Sequence, residues 1–274
     1  MGIMSGKKGV IFGVSNKHGI AYGIANQLFQ EGAEIAFTYA NEAMDKRVRP
    51  IAEEMNAKII MECDVTKEED VKKVFDECQR VYGKLDFVVH AVAFANKEDL
   101  QGKFIDTSSD GWNLALGVSA YSLVTIARNA QNVMPDGGSI FALTYLVSKY
   151  DVANYNVMGV AKAALESSVR YLSYDLGSKN IRVNALSSGA VKTLAAKGIH
   201  GFDKMLTAGA VKSPMKRNVT LEDVGKAGVY LASDLSTGTT GQILFVDCGC
   251  HAVYASPEEM AIIAEGAKKE PAAV

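Results

Sequence analysis

The sequence predicts an α/β chain: a doubly wound parallel sheet of seven strands with helices on both faces. Three observations predict it. Short, β-branched apolar runs alternate with segments of helical periodicity along most of the chain. Several of the apolar runs are uninterrupted, as strands buried on both faces require. No linker or shift in composition divides the 274 residues, so one domain over 1–274 is expected.

Gly9–Gly13 (GVIFG) reads as the first strand, and Ile20, Ile24, Ala25 and Leu28 recur at helical spacing after it. Ala33–Tyr39 is the second strand, followed by a charged helical stretch over 42–55. Lys58–Val65 is the third. Thr66 followed by Glu69 has the form of a capping box, so a helix is expected to open there. Leu85–Phe94 is the fourth strand, and a single helix is expected over about 110–133, ending before Pro135. Gly138–Tyr145 is the fifth strand and Tyr155 to about Gly177 a long helix. Ile181–Ser187 is the sixth strand. Thr220 and Asp223 open another helix, and Gln242–Asp247 is the seventh strand. A strand order of 3-2-1-4-5-6-7 follows for a Rossmann-like sheet. The long irregular stretch after strand six falls where such sheets bind ligands. It reads as a helical substrate lid over about 190–218. The tail, about 251–274, is either a small annex or without order.

Composition narrows the function classes. Hydrophobic residues make up 48% and charged residues 22%, and the net charge is −2, so a packed enzyme-like core is expected and a polyanion partner is not. Cys63, Cys78, Cys248 and Cys250 read as reduced thiols, and the four histidines show no metal spacing. No signal-peptide pattern and no long apolar run occur. A cytoplasmic protein with no metal, no nucleic acid and no membrane partner is the expectation.

Gly13, Gly19 and Gly23 surround the turn from the first strand into the first helix. The pattern is not G-x-G-x-x-G, but backbone N–H groups at that place can hold a pyrophosphate against the helix dipole. The second strand ends in Tyr39-Ala40-Asn41-Glu42, with no basic residue immediately there for a 2′-phosphate, which favours NAD (NADH) over NADPH. Asp64 and Val65, ending strand three, are placed to cradle an adenine; Asp64 is equally placed to cap a helix. Ala91, Val92 and Ala93 are small enough to let a cofactor lie across the sheet edge.

Two tyrosine–lysine pairs follow strand five. Tyr145 and Lys149 straddle a strand end and a loop. Tyr155 and Lys162 both fall on one expected helix, and seven residues return to within about 20° of the starting direction. They share a face two turns apart, which suits a ribose lying between them while the lysine's charge favours the ionised phenolate.

At these residues the chain resembles the short-chain dehydrogenase/reductase superfamily, and within it the bacterial enoyl-acyl-carrier-protein reductases of type II fatty-acid synthesis. The matching segments include GIAYGIA (19–25), CDV (63–65), YNVMGVAKAALE (155–166), IRVNALSSG (181–189) and KTLAAKGI (192–199). The resemblance implies an enoyl thioester on acyl carrier protein as substrate, reduced at its trans-2 double bond with NADH, and a homotetramer. It implies Tyr155, Lys162 and Tyr145 as catalytic residues. Cofactor contacts are implied at Gly13, Gly19, Ile20, Ala40, Asp64, Val65, Val92 and Lys162, and at Val191, Lys192, Thr193, Leu194 and Ala195. Substrate contacts are implied at Ala95, Tyr145 and Tyr155, with Met158, Ile199, Phe202 and Met205 as candidate acyl contacts, each equally readable as plain core. The chain departs from the family pattern at Ala190 and Asn96, where prolines are usual, at Gly19, Ala40, Cys248 and Cys250. A carbonyl reductase of the superfamily would carry a serine near Ala142 and a lysine at Gly159. A non-catalytic dinucleotide sensor would need neither Tyr155 nor Lys162.

Overall fold

The computed structural model describes residues 2–191, 202–257, 260 and 261, with the side chains of 202–205 left out. Seven strands form one sheet in the order β3-β2-β1-β4-β5-β6-β7, every neighbouring pair parallel. They are β1 (Lys8–Phe12), β2 (Glu34–Tyr39), β3 (Ile60–Glu62), β4 (Phe87–His90), β5 (Gly138–Thr144), β6 (Ile181–Ser188) and β7 (Ile243–Val246). The expected order is the observed one.

Alternate residues of each strand feed two cores. Val10, Phe12, Val88, Ile140 and Ala142 pack with α3 (Glu68–Tyr82), α5 (Ser122–Ala130) and α6 (Asn156–Gly177). Ile11, Ile35, Phe37, Val89 and Phe141 pack on the other face with α1 (Ile20–Gln30), α2 (Glu42–Glu54) and α8 (Leu221–Ala232). The period of two along a strand sends successive side chains to opposite faces, so a strand buried on both sides must be apolar throughout.

Four boundaries differ from the sequence expectation. Strand β4 stops at His90 rather than Phe94, so residues 91–94 leave the ladder at the sheet's C-terminal edge. Strand β3 is shorter than expected because it is the edge strand, paired on one side only. The expected 66–69 capping box does not form. Lys67 is the N-cap of α3 without a side-chain cap, and Thr66 turns back instead, its hydroxyl donating to Asp64 Oδ1 at 2.7 Å. Three acidic residues, Glu68, Glu69 and Asp70, offset the helix dipole there. The single helix expected over about 110–133 is two helices, α4 (Ser109–Leu116) and α5, joined by a π-turn over Gly117–Tyr121. A π-bulge adds one residue to a helical turn without changing the apolar spacing on either side, so hydrophobic periodicity does not reveal it.

The Thr220–Asp223 capping box is present at the start of α8. Helices α1 and α8 lie close because glycines face each other: a Cβ on Gly225 would stand 2.5 Å from Gly23 O. Gly23, one of the three glycines around the first turn, thus serves helix packing. The remaining described helix, α7 (Phe202–Lys212), lies between β6 and α8 within the segment expected to form the lid.

Candidate active site

The site is a cavity of about 560 Å³ at the C-terminal edge of the sheet, lined from three directions. The β1–α1 turn contributes Gly13, Gly19 and Ile20. The segments leaving β4 and β6 contribute Val92, Ala95, Ala190 and Val191. The end of β5 and the face of α6 contribute Tyr145, Tyr155, Met158 and Lys162.

Gly13 has φ +101°, and a Cβ there would lie 2.2 Å from Ala91 O. Only glycine fits, and the turn brings the backbone of β1 hard against the start of the 91–94 segment. Gly19 is the N-cap of α1 and provides no side-chain cap. The N–H groups of the first turn therefore face the cavity without an internal partner, which is the arrangement that receives an anionic phosphate. These features, with the small residues of the 91–93 segment, fit a dinucleotide.

Tyr155 immediately precedes α6 and sits between Asn154 (φ +66°) and Asn156 (φ +33°). Asparagine tolerates the left-handed region better than most residues, and two such residues around one tyrosine fix the backbone that aims it. Asn156 is further tied to Gly102 O at 3.4 Å. The Tyr145 and Tyr155 rings stand 5.4 Å apart between centroids and tilted by 44°. Burial pushes the Tyr155 phenol well above its ordinary value, with Tyr145 adding to the effect. Tyr145 is raised too, by burial first and then by Cys250 and Asp247. The phenolate expected from the Tyr155–Lys162 spacing is thus outweighed by burial: Tyr155 is a hydrogen-bond donor.

Lys162 is 8% exposed, and its Nζ donates to Leu143 O at 2.7 Å. Burial pulls its ammonium down to about 8, while Glu166, one turn further along α6, pushes it up. Glu166 is itself buried and accepts from Thr144 Oγ1 at 2.7 Å. Lys162 and Glu166 are thus each anchored to the last turns of β5, which sets the register of α6 against the sheet. The other lysine is elsewhere: Lys149 Nζ lies over the Phe245 ring, 4.9 Å from its centroid, and Lys149 does not line the cavity.

Several sequence-derived site residues stand apart from the cavity wall. Ala40, Asp64 and Val65 end β2 and follow β3 beside it without lining it. Asp64 accepts from Thr66 and lies 3.5 Å from Lys67 Nζ; despite the opposing effect of partial burial, these contacts hold its carboxyl below the usual value. Lys192, Thr193, Leu194, Ala195 and Ile199, and the side chains of Phe202 and Met205, lie outside the described residues. Leu100, Asn154 and Ser188 line the cavity without having been singled out from sequence. For Asn154 the signal was present in the Asn-Tyr-Asn string. Leu100 sits in a short 3₁₀ turn that no periodicity marks.

Comparison with known proteins agrees with this geometry. The family model described as enoyl-(acyl carrier protein) reductase matches residues 13–251. A protein of Rhizobium meliloti named enoyl-[acyl-carrier-protein] reductase [NADH] 1 is 50% identical over 252 residues, covering 92% of this chain and 93% of its own length. An enoyl-acyl-carrier-protein reductase of Anaplasma phagocytophilum, solved in complex with NAD, superposes with a TM-score of 0.90 at 49% identity, over 93% of this chain and 97% of that one. A Bacillus cereus enoyl-acyl carrier protein reductase, solved with NADP+ and an indole naphthyridinone, gives a TM-score of 0.91 at 45% identity, over 93% and 100% of the two chains. With the parallel sheet, the glycine turn and the Tyr155–Lys162 face already in place, these matches make the chain a member of the enoyl-(acyl carrier protein) reductase family.

Proposed function

We propose that this protein reduces the trans-2 carbon–carbon double bond of enoyl thioesters carried on acyl carrier protein, with NADH, in fatty-acid elongation. The observation that carries the reading is one cavity lined both by the glycine turn at the N-terminus of α1 and by Tyr155 and Lys162. When bound, the dinucleotide supplies the hydride that saturates the β-carbon. Gly13, Gly19 and Ile20 hold its pyrophosphate end, Val92 and Val191 flank it, and Lys162 holds the nicotinamide ribose. Ala40, Asp64 and Val65 serve the adenine end.

Tyr155 donates a hydrogen bond to the thioester oxygen as negative charge develops there. Its raised proton affinity keeps the O–H in place over the working pH range. A donor aimed at developing charge in a water-poor site contributes typically about 3–4 kcal/mol. Tyr145 packs against Tyr155 and lines the acyl side with Met158 and Ala95. The core of the expected lid, residues 192–201, lies outside the described residues.

A carbonyl reductase of the same superfamily is disfavoured on the residues. Position 142 is a fully buried alanine in β5, and position 159 is a glycine whose Cβ would stand 3.1 Å from Val147 O. The chain acts as one domain, in the cytoplasm, as a homotetramer; among the described residues no helix is long and apolar enough to cross a membrane. The test is NADH consumption with crotonyl and longer enoyl thioesters, each run also with NADPH. Turnover with NADH and none of simple ketones is the expected result. Tight NADH binding without turnover of any enoyl thioester would instead mark a nucleotide sensor.

A further inference from the structure

Behind the cavity wall lies a polar chain that the reaction does not use directly. His90, the last residue of β4, is fully buried and does not line the cavity. It lies opposite Ala142 in the β4–β5 ladder, and Ala142 faces the core made by α5 and α6. The next residue of β5, Leu143, offers the carbonyl that holds Lys162 Nζ. His90 Nε2 stands 2.7 Å from Ser122 Oγ, and Ser122 Oγ stands 2.6 Å from Val118 O inside the π-turn.

The proton positions on this chain follow from counting. A carbonyl oxygen carries no proton, so the 2.6 Å contact requires the serine to donate to Val118 O. Having spent its one proton there, Ser122 accepts from His90, which must carry its proton on Nε2. The Nδ1 lone pair is then bare, and Nδ1 is a buried atom with no hydrogen-bond partner. An orphan acceptor in the core is costly unless something supplies a proton to it. Burial pushes His90 down to about 3, so it does not supply its own; the next influence on it is the positive charge of Lys162. Lys162 has three N–H donors, of which Leu143 O takes one.

We propose that His90 is a positioning residue for Lys162: its bare Nδ1 accepts a hydrogen bond from the Lys162 ammonium, relayed across one buried water, from inside the core. Val118 and Ser122, four residues apart along the helix, lock the histidine tautomer between them. His90 and Glu166 then stand on Lys162 as a neutral acceptor and an anion, leaving the third N–H for the cofactor. The proposal rests on the reading of Lys162 as the ribose-holding group for its effect on activity, though not for the contact itself. Among the described residues, Glu166 from α6 acts on Lys162, and Lys162 and the backbone of His90 itself act on His90.

The contact is tested first without turnover. In protein labelled with ¹⁵N-histidine, long-range ¹H–¹⁵N spectra report which ring nitrogen of His90 is protonated. The expected result is protonation at Nε2, and a Nδ1 resonance that moves toward the free-acceptor position in Lys162→Met. A proton on Nδ1, or a Nδ1 resonance unmoved by Lys162→Met, overturns the proposal. Two variants then separate the ends of the ring. His90→Asn keeps an acceptor near Nδ1, and His90→Gln keeps a partner for Ser122 only. His90→Gln should raise KM for NADH roughly tenfold at alkaline pH and move the alkaline limb of kcat/KM roughly one pH unit lower, with little change in acid. His90→Asn should restore most of both. Equal losses in the two variants at every pH would mean a packing role and overturn the proposal. If Lys162→Met leaves NADH affinity unchanged, the ribose reading of Lys162 fails while the spectra still decide the contact.

Discussion

Tyr145 and Tyr155 stand ring against ring, 5.4 Å between centroids, one at the end of β5 and the other at the start of α6. Both phenols are held above their ordinary proton affinity by burial, and Tyr155 more strongly. Tyr155→Phe removes the oxyanion donor and keeps the ring packing. It should lower kcat by roughly 10²–10³-fold with KM for NADH nearly unchanged. Tyr145→Phe removes a hydroxyl from the acyl side only, and should cost roughly tenfold or less. Steady-state kinetics with a crotonyl thioester check both. A Tyr155→Phe enzyme as fast as the parent would remove Tyr155 from the chemistry.

Lys162 gives the site its pH dependence. Its ammonium is pulled down to about 8 by burial, below the ordinary 10.5. A depressed lysine is charged below its folded value and neutral above it. Its buried charge therefore opposes folding below pH about 8, and that cost fades as pH rises toward 10.5. For binding the sign is reversed: the charged form is the one that holds ribose oxygens. NADH affinity should be flat below pH about 8 and fall above it. Binding near pH 8.5, roughly half a unit above that value, should take up protons, because the bound anion favours the ammonium. Calorimetry in two buffers of different ionisation heat measures the uptake. Glu166→Gln, which removes the charge that raises Lys162, should shift the fall to lower pH.

The sheet order was legible because each strand is a β-branched apolar run and each crossover has helical period. The wider tyrosine–lysine pair was legible because a spacing of seven returns to one helix face, and Lys149 is in fact drawn away to Phe245. What was not legible depends on contacts between distant segments. The end of β4 at His90 follows from Gly13 meeting Ala91 O, which no local pattern encodes. Thr66 had two acceptable partners in sequence, the N–H groups of α3 and the Asp64 carboxylate, and the turn won. Lys162 is held by a backbone carbonyl, and a carbonyl has no letter in the sequence. The neutral state of Tyr155 follows from burial, which spacing does not report.

The start of α8 provides a stability test separate from catalysis. Thr220 and Asp223 cap each other reciprocally, and Arg217 Nη1 donates to Asp223 Oδ2 at 2.6 Å. Arg217 above all holds the Asp223 carboxyl down, to about 2, from an ordinary 3.8. A depressed carboxylate contributes stability above its unfolded value, and the contribution is lost as pH falls through the folded one. The parent protein should therefore lose part of its stability between pH about 4 and about 2. Asp223→Asn should flatten that part of the acid limb, and Thr220→Ala should cost about 1 kcal/mol at neutral pH. Urea denaturation at a series of pH values checks both.

Gly13 and Gly19 should respond oppositely to substitution, although both line the same turn. At Gly13, φ is +101° and a Cβ would meet Ala91 O at 2.2 Å, a backbone atom that cannot move without shifting β4. Gly13→Ala adds left-handed strain to this clash, so it should destabilise the protein by more than about 1 kcal/mol and weaken NADH binding. At Gly19 the backbone is extended, with φ −84°, and the nearest atom to an added Cβ is Asn16 O at 3.4 Å. Gly19→Ser therefore fits the space. It also supplies an N-cap hydroxyl that this helix lacks, which should stabilise the protein by a few tenths of a kcal/mol. NADH binding should survive, because the N–H groups that face the phosphate belong to the backbone. Thermal melts with and without NADH separate the two effects. A Gly19→Ser protein that melts higher but loses its shift with NADH would show that the added hydroxyl occupies the N–H groups assigned to the pyrophosphate.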